Sequence, residues 1–178
     1  MRDQRFGCTI FTSVAGEYYV AYRLSIMGCL VALTRGEWPT GSLLVGDLAG
    51  HAAISLQVRT SMDAFRGRGN ALKTNHWQWP MKEEDLKRGS VSDVYAFVDM
   101  KGASPFGRPE AVPDVFIVPA MDVCEKLFDP VCREPPWEVF MIAEKDKPTY
   151  FEAWEYLACQ IEHRPPMAGR SIDLPPLE

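Results

Sequence analysis

Four kinds of signature are missing from this chain of 178 residues, and each absence removes a class of function. No apolar run approaches the roughly 20 residues that cross a bilayer, and Met-Arg-Asp-Gln-Arg-Phe-Gly leads into no apolar signal core, so a cytoplasmic protein with no membrane partner is expected. The five cysteines, Cys8, Cys29, Cys124, Cys132 and Cys159, are odd in number and never in C-x-x-C spacing, which points to free thiols rather than a disulfide framework or a zinc site. Cys29, in an apolar run after a glycine, reads as a buried structural thiol. There is no Gly-rich phosphate loop, so nucleotide hydrolysis is unsupported. His51, His76 and His163 are too dispersed for a metal motif and read as ordinary surface or capping residues.

What is present is ordinary globular usage, 47% hydrophobic and 24% charged, of a size for one domain over 1–163 followed by a proline-rich, loosely ordered tail over 164–178. The net charge of -5 argues against a surface coated with phosphate-binding residues but leaves room for a local basic site. Arg59, Arg66, Arg68 and Lys73 fall in one stretch whose only acid is Asp63, with Gly67 and Gly69 between them. Such a stretch is a solvated loop unless it lies beside a site.

The order of elements can be read from pattern. A helix is expected from a cap at Thr12 or Ser13 to about Met27, ended by Gly28, with Glu17 at the start of an apolar stripe through Val20, Leu24 and Met27. The plain reading of Glu17 is a carboxylate complementing the positive end of the helix dipole. A strand follows over 29–34, then a hairpin of strands 42–46 and 52–60. In the second of these Ile54, Leu56 and Val58 point one way and Ser55, Gln57 and Arg59 the other. Further strands are expected over 92–100 and 114–118, a helix from Pro119 to Leu127, an edge strand over 137–143 and one helix over 148–162. Trp77 and Trp79 offer stacking surfaces for bases, although alternating aromatics more often pack in a core or at an edge.

This order implies an α/β fold around a mixed sheet. The segments "AGEYYVAYRLSIMGCLVALTRGEWPTGSLLV" and "ISLQVRTS", with "VYAFVDM" and "PDVFIVPAMDV" after them, resemble the core of the PD-(D/E)xK nuclease superfamily, the restriction-endonuclease-like fold. Within it the chain is most similar to small bacterial intron-associated and resolvase-like endonucleases. The resemblance covers roughly 15–127, with "YFEAWEYL" a C-terminal extension. It implies a central mixed sheet flanked by helices, and a site made from a helix glutamate, an aspartate opening the second strand and a (Asp/Glu/Gln)-x-Lys pair on the third. In that site carboxylates hold Mg²⁺ over the scissile phosphate and the lysine orients the attacking water.

Carried over by position, Glu17 matches the helix glutamate and Gln57 the first residue of the pair, which makes these two the metal-side positions for Mg²⁺ or Mn²⁺. Ser42 stands where the aspartate is expected and Arg59 where the lysine is expected. A serine hydroxyl and a neutral amide offer a hard cation oxygen without charge, and arginine stays protonated while its planar fork holds phosphate well. Asp47 lies five residues beyond Ser42, about 16 Å along an extended strand, so it reads as a hairpin residue; Asp63, just after the third strand, is the nearer substitute. The resemblance therefore implies a nuclease fold with a degenerate site that binds nucleic acid such as DNA, through Arg59, Arg66, Arg68 and Lys73, or else a protein partner. Two alternatives remain: a slow metal-dependent endodeoxyribonuclease using Glu17, Gln57 and Arg59, and a regulatory protein-interaction module. A homodimer through a sheet edge or a helix suits any of the three.

Overall fold

A computed structural model of the chain describes residues 5–34, 43–49, 52–67, 74–81, 94–102, 112–128, 133–134 and 137–163. It opens with α1, Arg5–Ile26. The helix starts well before the cap expected at Thr12 or Ser13; Thr12 is buried inside it. Its end is as expected. Gly28 takes φ +88°, and the Cys29 N–H reaches back to the Leu24 carbonyl at 3.1 Å while the Gly28 N–H reaches Ser25 O at 3.0 Å, satisfying carbonyls that the last turn leaves open.

The central sheet has five strands in the order β1-β2-β3-β6-β7. They are β1 Leu30–Leu33, β2 Leu43–Gly46, β3 Ala53–Ser61, β6 Val94–Asp99 and β7 Asp114–Pro119. β1, β2 and β3 form an antiparallel meander, β3 pairs β6 in parallel, and β6 pairs β7 antiparallel, so the sheet is mixed. Between β3 and β6 lie β4, Phe65–Arg66, and β5, His76–Pro80. These join β8, Arg133–Glu134, and β9, Trp137–Ala143, in a second sheet ordered β4-β5-β9-β8 that pattern reading did not foresee. The strand expected over 137–143 is there, as a member of that sheet.

Alternation divides the interior into two cores, one on each face of the central sheet. On one face Val20, Ala21 and Leu24 of α1, with Trp154, Leu157 and Ile161, cover Leu43, Val45, Ile54, Leu56, Val58, Val94, Ala96, Val98, Val115 and Ile117. On the other, Trp77, Trp79, Phe140 and Ile142 of the second sheet, with Val123 of α2 (Ala120–Phe128), cover Tyr95, Phe97, Phe116 and Val118. The second core is aromatic: Phe97 stacks on Phe140 at 4.4 Å and meets Trp79 at 5.1 Å. Trp79 also donates its indole N–H to Val98 O at 3.0 Å. The two tryptophans are thus core residues, unavailable for stacking on bases. His76, expected at the surface, is buried as well, with its ring nitrogens near Thr74 O and Gln78 Oε1.

The single helix expected over 148–162 is two. α3, Lys147–Tyr150, and α4, Trp154–His163, are separated by a short extended step. There Phe151 bridges Phe116 of β7, the Glu152 N–H donates to Val115 O at 2.8 Å, and Glu152 takes φ +52°. The open edge of β7 needs a donor, and supplying it outweighs helix continuity. The Glu152 carboxylate then receives Arg23 of α1 at 2.8 Å and the Trp154 indole N–H at 2.7 Å, with the guanidinium 5.0 Å from the Trp154 ring centre. This clasp fixes α1 and α4 side by side on the sheet.

Candidate functional site

Glu17 lies on α1, twelve residues after its first residue. That is more than three turns inside the helix, so the dipole explanation fails, because the effect is confined to the first turn. Its side chain is half-buried at the flank of the sheet-facing stripe, which runs through Val20, Ala21 and Leu24; Met27, expected on that stripe, is exposed. The residue before it explains how the helix meets the sheet. A Cβ on Gly16 would fall 1.9 Å from Thr60 Oγ1, so only glycine lets α1 lie this close to β3. The contact fixes where α1 crosses β3; Glu17 follows Gly16 on the helix side, whereas Arg59, next to Thr60, has the opposite strand parity and projects from the other face of the sheet.

Gln57 and Arg59 are both half-buried on β3. Their parity is opposite to that of Leu56 and Val58, so they project from the face of the sheet away from α1, and in the parallel register Gln57 lies beside Tyr95 and Arg59 beside Phe97. Tyr95 and Phe97 are covered by the second sheet, whereas no described residue of β1 or β2 belongs to that second core. The pair therefore lies at the border of that second core among the described residues, with Ser55, two residues earlier on the same face, buried as well. Glu17, Gln57 and Arg59 each interact with other groups of the protein.

Ser42 lies outside the described residues, as do Arg68, Lys73 and His51. β2 begins one residue after Ser42, with Leu43 paired to Leu56, the neighbour of Gln57. Asp47 closes the β2-β3 hairpin: its N–H donates to Ala52 O at 3.3 Å, and its Oδ1 accepts the Ala52 N–H at 3.5 Å. Asp63 is exposed just after β3, with its carboxylate 3.8 Å from Arg66. Arg66, on β4, also donates to the carbonyls of Asp63 and Phe65 at 3.0 and 2.9 Å, which turns its guanidinium back onto its own loop. Among the described residues, no three His, Cys, Asp or Glu side chains are grouped to hold a metal. One carboxylate, one neutral amide and one guanidinium do not fit a divalent ion.

The residue that pattern reading passed over is Asp99. It ends β6 opposite Ser61 of β3 and Asp114 of β7, and it is 1% exposed. Its Oδ1 accepts the N–H groups of Ala64 at 3.0 Å and Lys101 at 2.9 Å, so one buried carboxylate anchors both the turn after β3 and the turn after β6. Burial pushes its carboxyl above the usual range, the two N–H donors pull it partly back, and the charges of Asp63 and Asp114 push it up again. Lys101, in the left-handed region at φ +53°, reaches Asp114 at 2.7 Å. An aspartate closing an otherwise apolar strand, just before Lys-Gly, was the signal available. Cys29 is only half-buried, and burial pushes its thiol up; Cys29, Cys124 and Cys159 form no disulfide.

No protein-family profile matches the sequence, and no curated protein does. The solved structures do give matches. A bacterial homing endonuclease superposes with a TM-score of 0.55 at 16% identity, over 88% of this chain and 98% of its own. A Holliday junction resolvase from Archaeoglobus fulgidus, an archaeal hyperthermophile, is similar at a TM-score of 0.46 and 12% identity over 82% of this chain and 95% of its own. No described helix is long and apolar enough to cross a membrane. The five-stranded mixed sheet, the helices that cover it and the superposition over nearly the whole endonuclease chain identify the protein as having the restriction-endonuclease-like nuclease fold.

Proposed function

We propose that the protein binds DNA through the Gln57-Arg59 face of β3 and cleaves it inefficiently or not at all. The observation that carries this reading is the pair itself: Gln57 and Arg59 stand side by side at the edge of the covered sheet face, where the resemblance places an acid or amide and a lysine. Arg59 grips a phosphate through a planar, permanently charged fork and cannot take a proton from water. Gln57 supplies an amide that donates or accepts a hydrogen bond. Neither draws a divalent cation, and the carboxylate at Glu17 does not complete a ligand set alone. Arg66, Arg68 and Lys73 extend the basic stretch beyond β3 and add sequence-independent attraction. The test is titration of labelled DNA at several salt concentrations. Arg59→Ala combined with Arg66→Ala weakens binding and flattens its salt dependence; unchanged binding contradicts the reading.

One observation favours a second reading, residual Mg²⁺- or Mn²⁺-dependent phosphodiester cleavage. Glu17 is a half-buried carboxylate in mid-helix with no dipole to explain it. If it still serves chemistry, cleavage is measurable in Mn²⁺ and lost in Glu17→Ala. Activity that survives this change belongs to a contaminant.

A further inference from the structure

α1 is apolar on two opposite sides, and only one of them faces the core. At 100° per residue, Phe11, Val14, Ala15, Tyr18, Tyr22, Ser25 and Ile26 fall within about 120° of one another, diametrically opposite the buried Gly16, Val20 and Leu24. Phe11 is 76% exposed, Ile26 65%, Tyr22 60% and Tyr18 53%. Every exposed side chain described on this helix is uncharged, in a protein whose residues are 24% charged. Its two described charged residues, Glu17 and Arg23, are half-buried on the flanks, and Arg23 is held by Glu152. A surface helix normally turns charge to solvent on the side away from the core.

We infer that this stripe is where two copies of the chain meet, α1 against α1 in antiparallel order about a two-fold axis beside Tyr18. Three features select a second copy over other occupants. The first is area: with aromatic side chains presenting ~200 Å² each, the stripe offers roughly 600–700 Å² per chain, within the ~600–1,000 Å² per partner of specific interfaces. The second is self-complementarity. An antiparallel pairing about Tyr18 sets Phe11 of one copy against Ile26 of the other and the bulky Tyr22 against the small Ala15, and a two-fold axis repeats each contact. The third is charge. A helix lying on a lipid surface carries lysine and arginine around its apolar face, whereas this stripe has none and the chain's net charge is -5. The surface lies on the side of α1 opposite the sheet, so pairing leaves the Gln57-Arg59 face of β3 open in both copies.

Sedimentation equilibrium of the full-length protein across the micromolar range tests this directly. Wild type is expected to be a dimer. Tyr18→Lys, which sets two ammonium groups near the axis, is expected to raise the dimer Kd at least tenfold with unchanged far-ultraviolet circular dichroism. Ala15→Glu, an exposed change to a good helix former, serves if Tyr18→Lys fails to fold, and it weakens the dimer likewise. Ala15→Glu combined with Tyr22→Lys recovers part of the loss, because the two positions face each other only across an antiparallel pair. A monomeric wild type overturns the inference, as does a dimer that withstands both Tyr18→Lys and Ala15→Glu while folded. Absence of recovery in the double variant overturns the antiparallel arrangement.

Discussion

The two halves of the central sheet are built to different standards. β6 and β7 are covered on both faces, by α1 and α4 on one and by the second sheet on the other, and every residue of β6 is buried. The β1-β2-β3 meander is covered by α1 and α4 on one face, and among the described residues no side chain of β1 or β2 joins the second core on the other. On its other face Leu30, Ala32, Leu44 and Ala53 line an open groove of about 320 Å³, and Leu44 is 44% exposed. A strand buried on both sides has its sequence dictated by packing, whereas one with a bare face is free to carry polar groups. β3 lies between these strands, and on its second face Ser55 is buried while Gln57 and Arg59 are half-buried beside Tyr95 and Phe97.

The contrast predicts how substitutions rank. Phe97→Ala removes a ring at 0% exposure between Trp79 and Phe140, and about 3–5 kcal/mol of stability should go with it in urea unfolding. A loss under 1 kcal/mol would break the distinction between the halves. Asp99→Ala comes next, at about 2–4 kcal/mol, because it leaves the buried N–H groups of Ala64 and Lys101 without their acceptor. Asp99→Asn keeps an oxygen for both donors and should be far milder.

The same aspartate makes a prediction about pH. Its folded-state carboxyl titrates above the usual value of 3.8, so the protonated form is favoured by folding. Its contribution is fully present below that usual value and is lost as pH rises through the elevated one. Stability followed by denaturant midpoint should therefore fall from this source as pH climbs above about 4, and Asp99→Asn should remove that part of the slope. A slope unchanged in the variant would assign it to other groups.

Gly16→Ala sharpens the comparison at the helix. The added methyl meets Thr60 Oγ1, so about 1–3 kcal/mol is lost despite the better helix propensity of alanine, and less is lost when Thr60 is also alanine. Equal losses in both backgrounds would mean that α1 does not press on β3 there. The smallest effect belongs to the bare face: Leu44→Ser should stay within about 0.5 kcal/mol by thermal or urea unfolding.

Which parts of this were legible beforehand follows from which interactions are local. Alternation in β3 separated Ile54, Leu56 and Val58 from Gln57 and Arg59, because a strand's period is a property of its own residues. Gly28 announced the end of α1, since it alone takes the left-handed turn there easily. The second sheet was not legible: β4 is two residues long, β5 ends in a proline, and their sheet is completed by β9, some sixty residues on. The early start of α1 was hidden by Gly7, Thr9 and Ile10, weak helix formers overruled by tertiary context. The break at Glu152 was set by a carbonyl on β7 that no local pattern reveals. Glu17, Gln57 and Arg59 are candidates carried by the resemblance, while Asp99 was missed because its partners belong to two separate turns.

The central proposal is that a protein with this nuclease fold binds DNA through the Gln57-Arg59 face and cleaves it inefficiently or not at all. Labelled duplex, branched and single-stranded DNA should be titrated with wild type, Arg59→Ala and Glu17→Ala at low and moderate salt in Mn²⁺, with the same samples scored for cleavage. The expected result is salt-sensitive binding by wild type, weakened several-fold in Arg59→Ala with a salt slope about one unit smaller, and DNA that stays largely intact in every sample. Efficient cleavage by wild type that disappears in Glu17→Ala would contradict it and favour an active enzyme; absence of binding would remove DNA as the ligand.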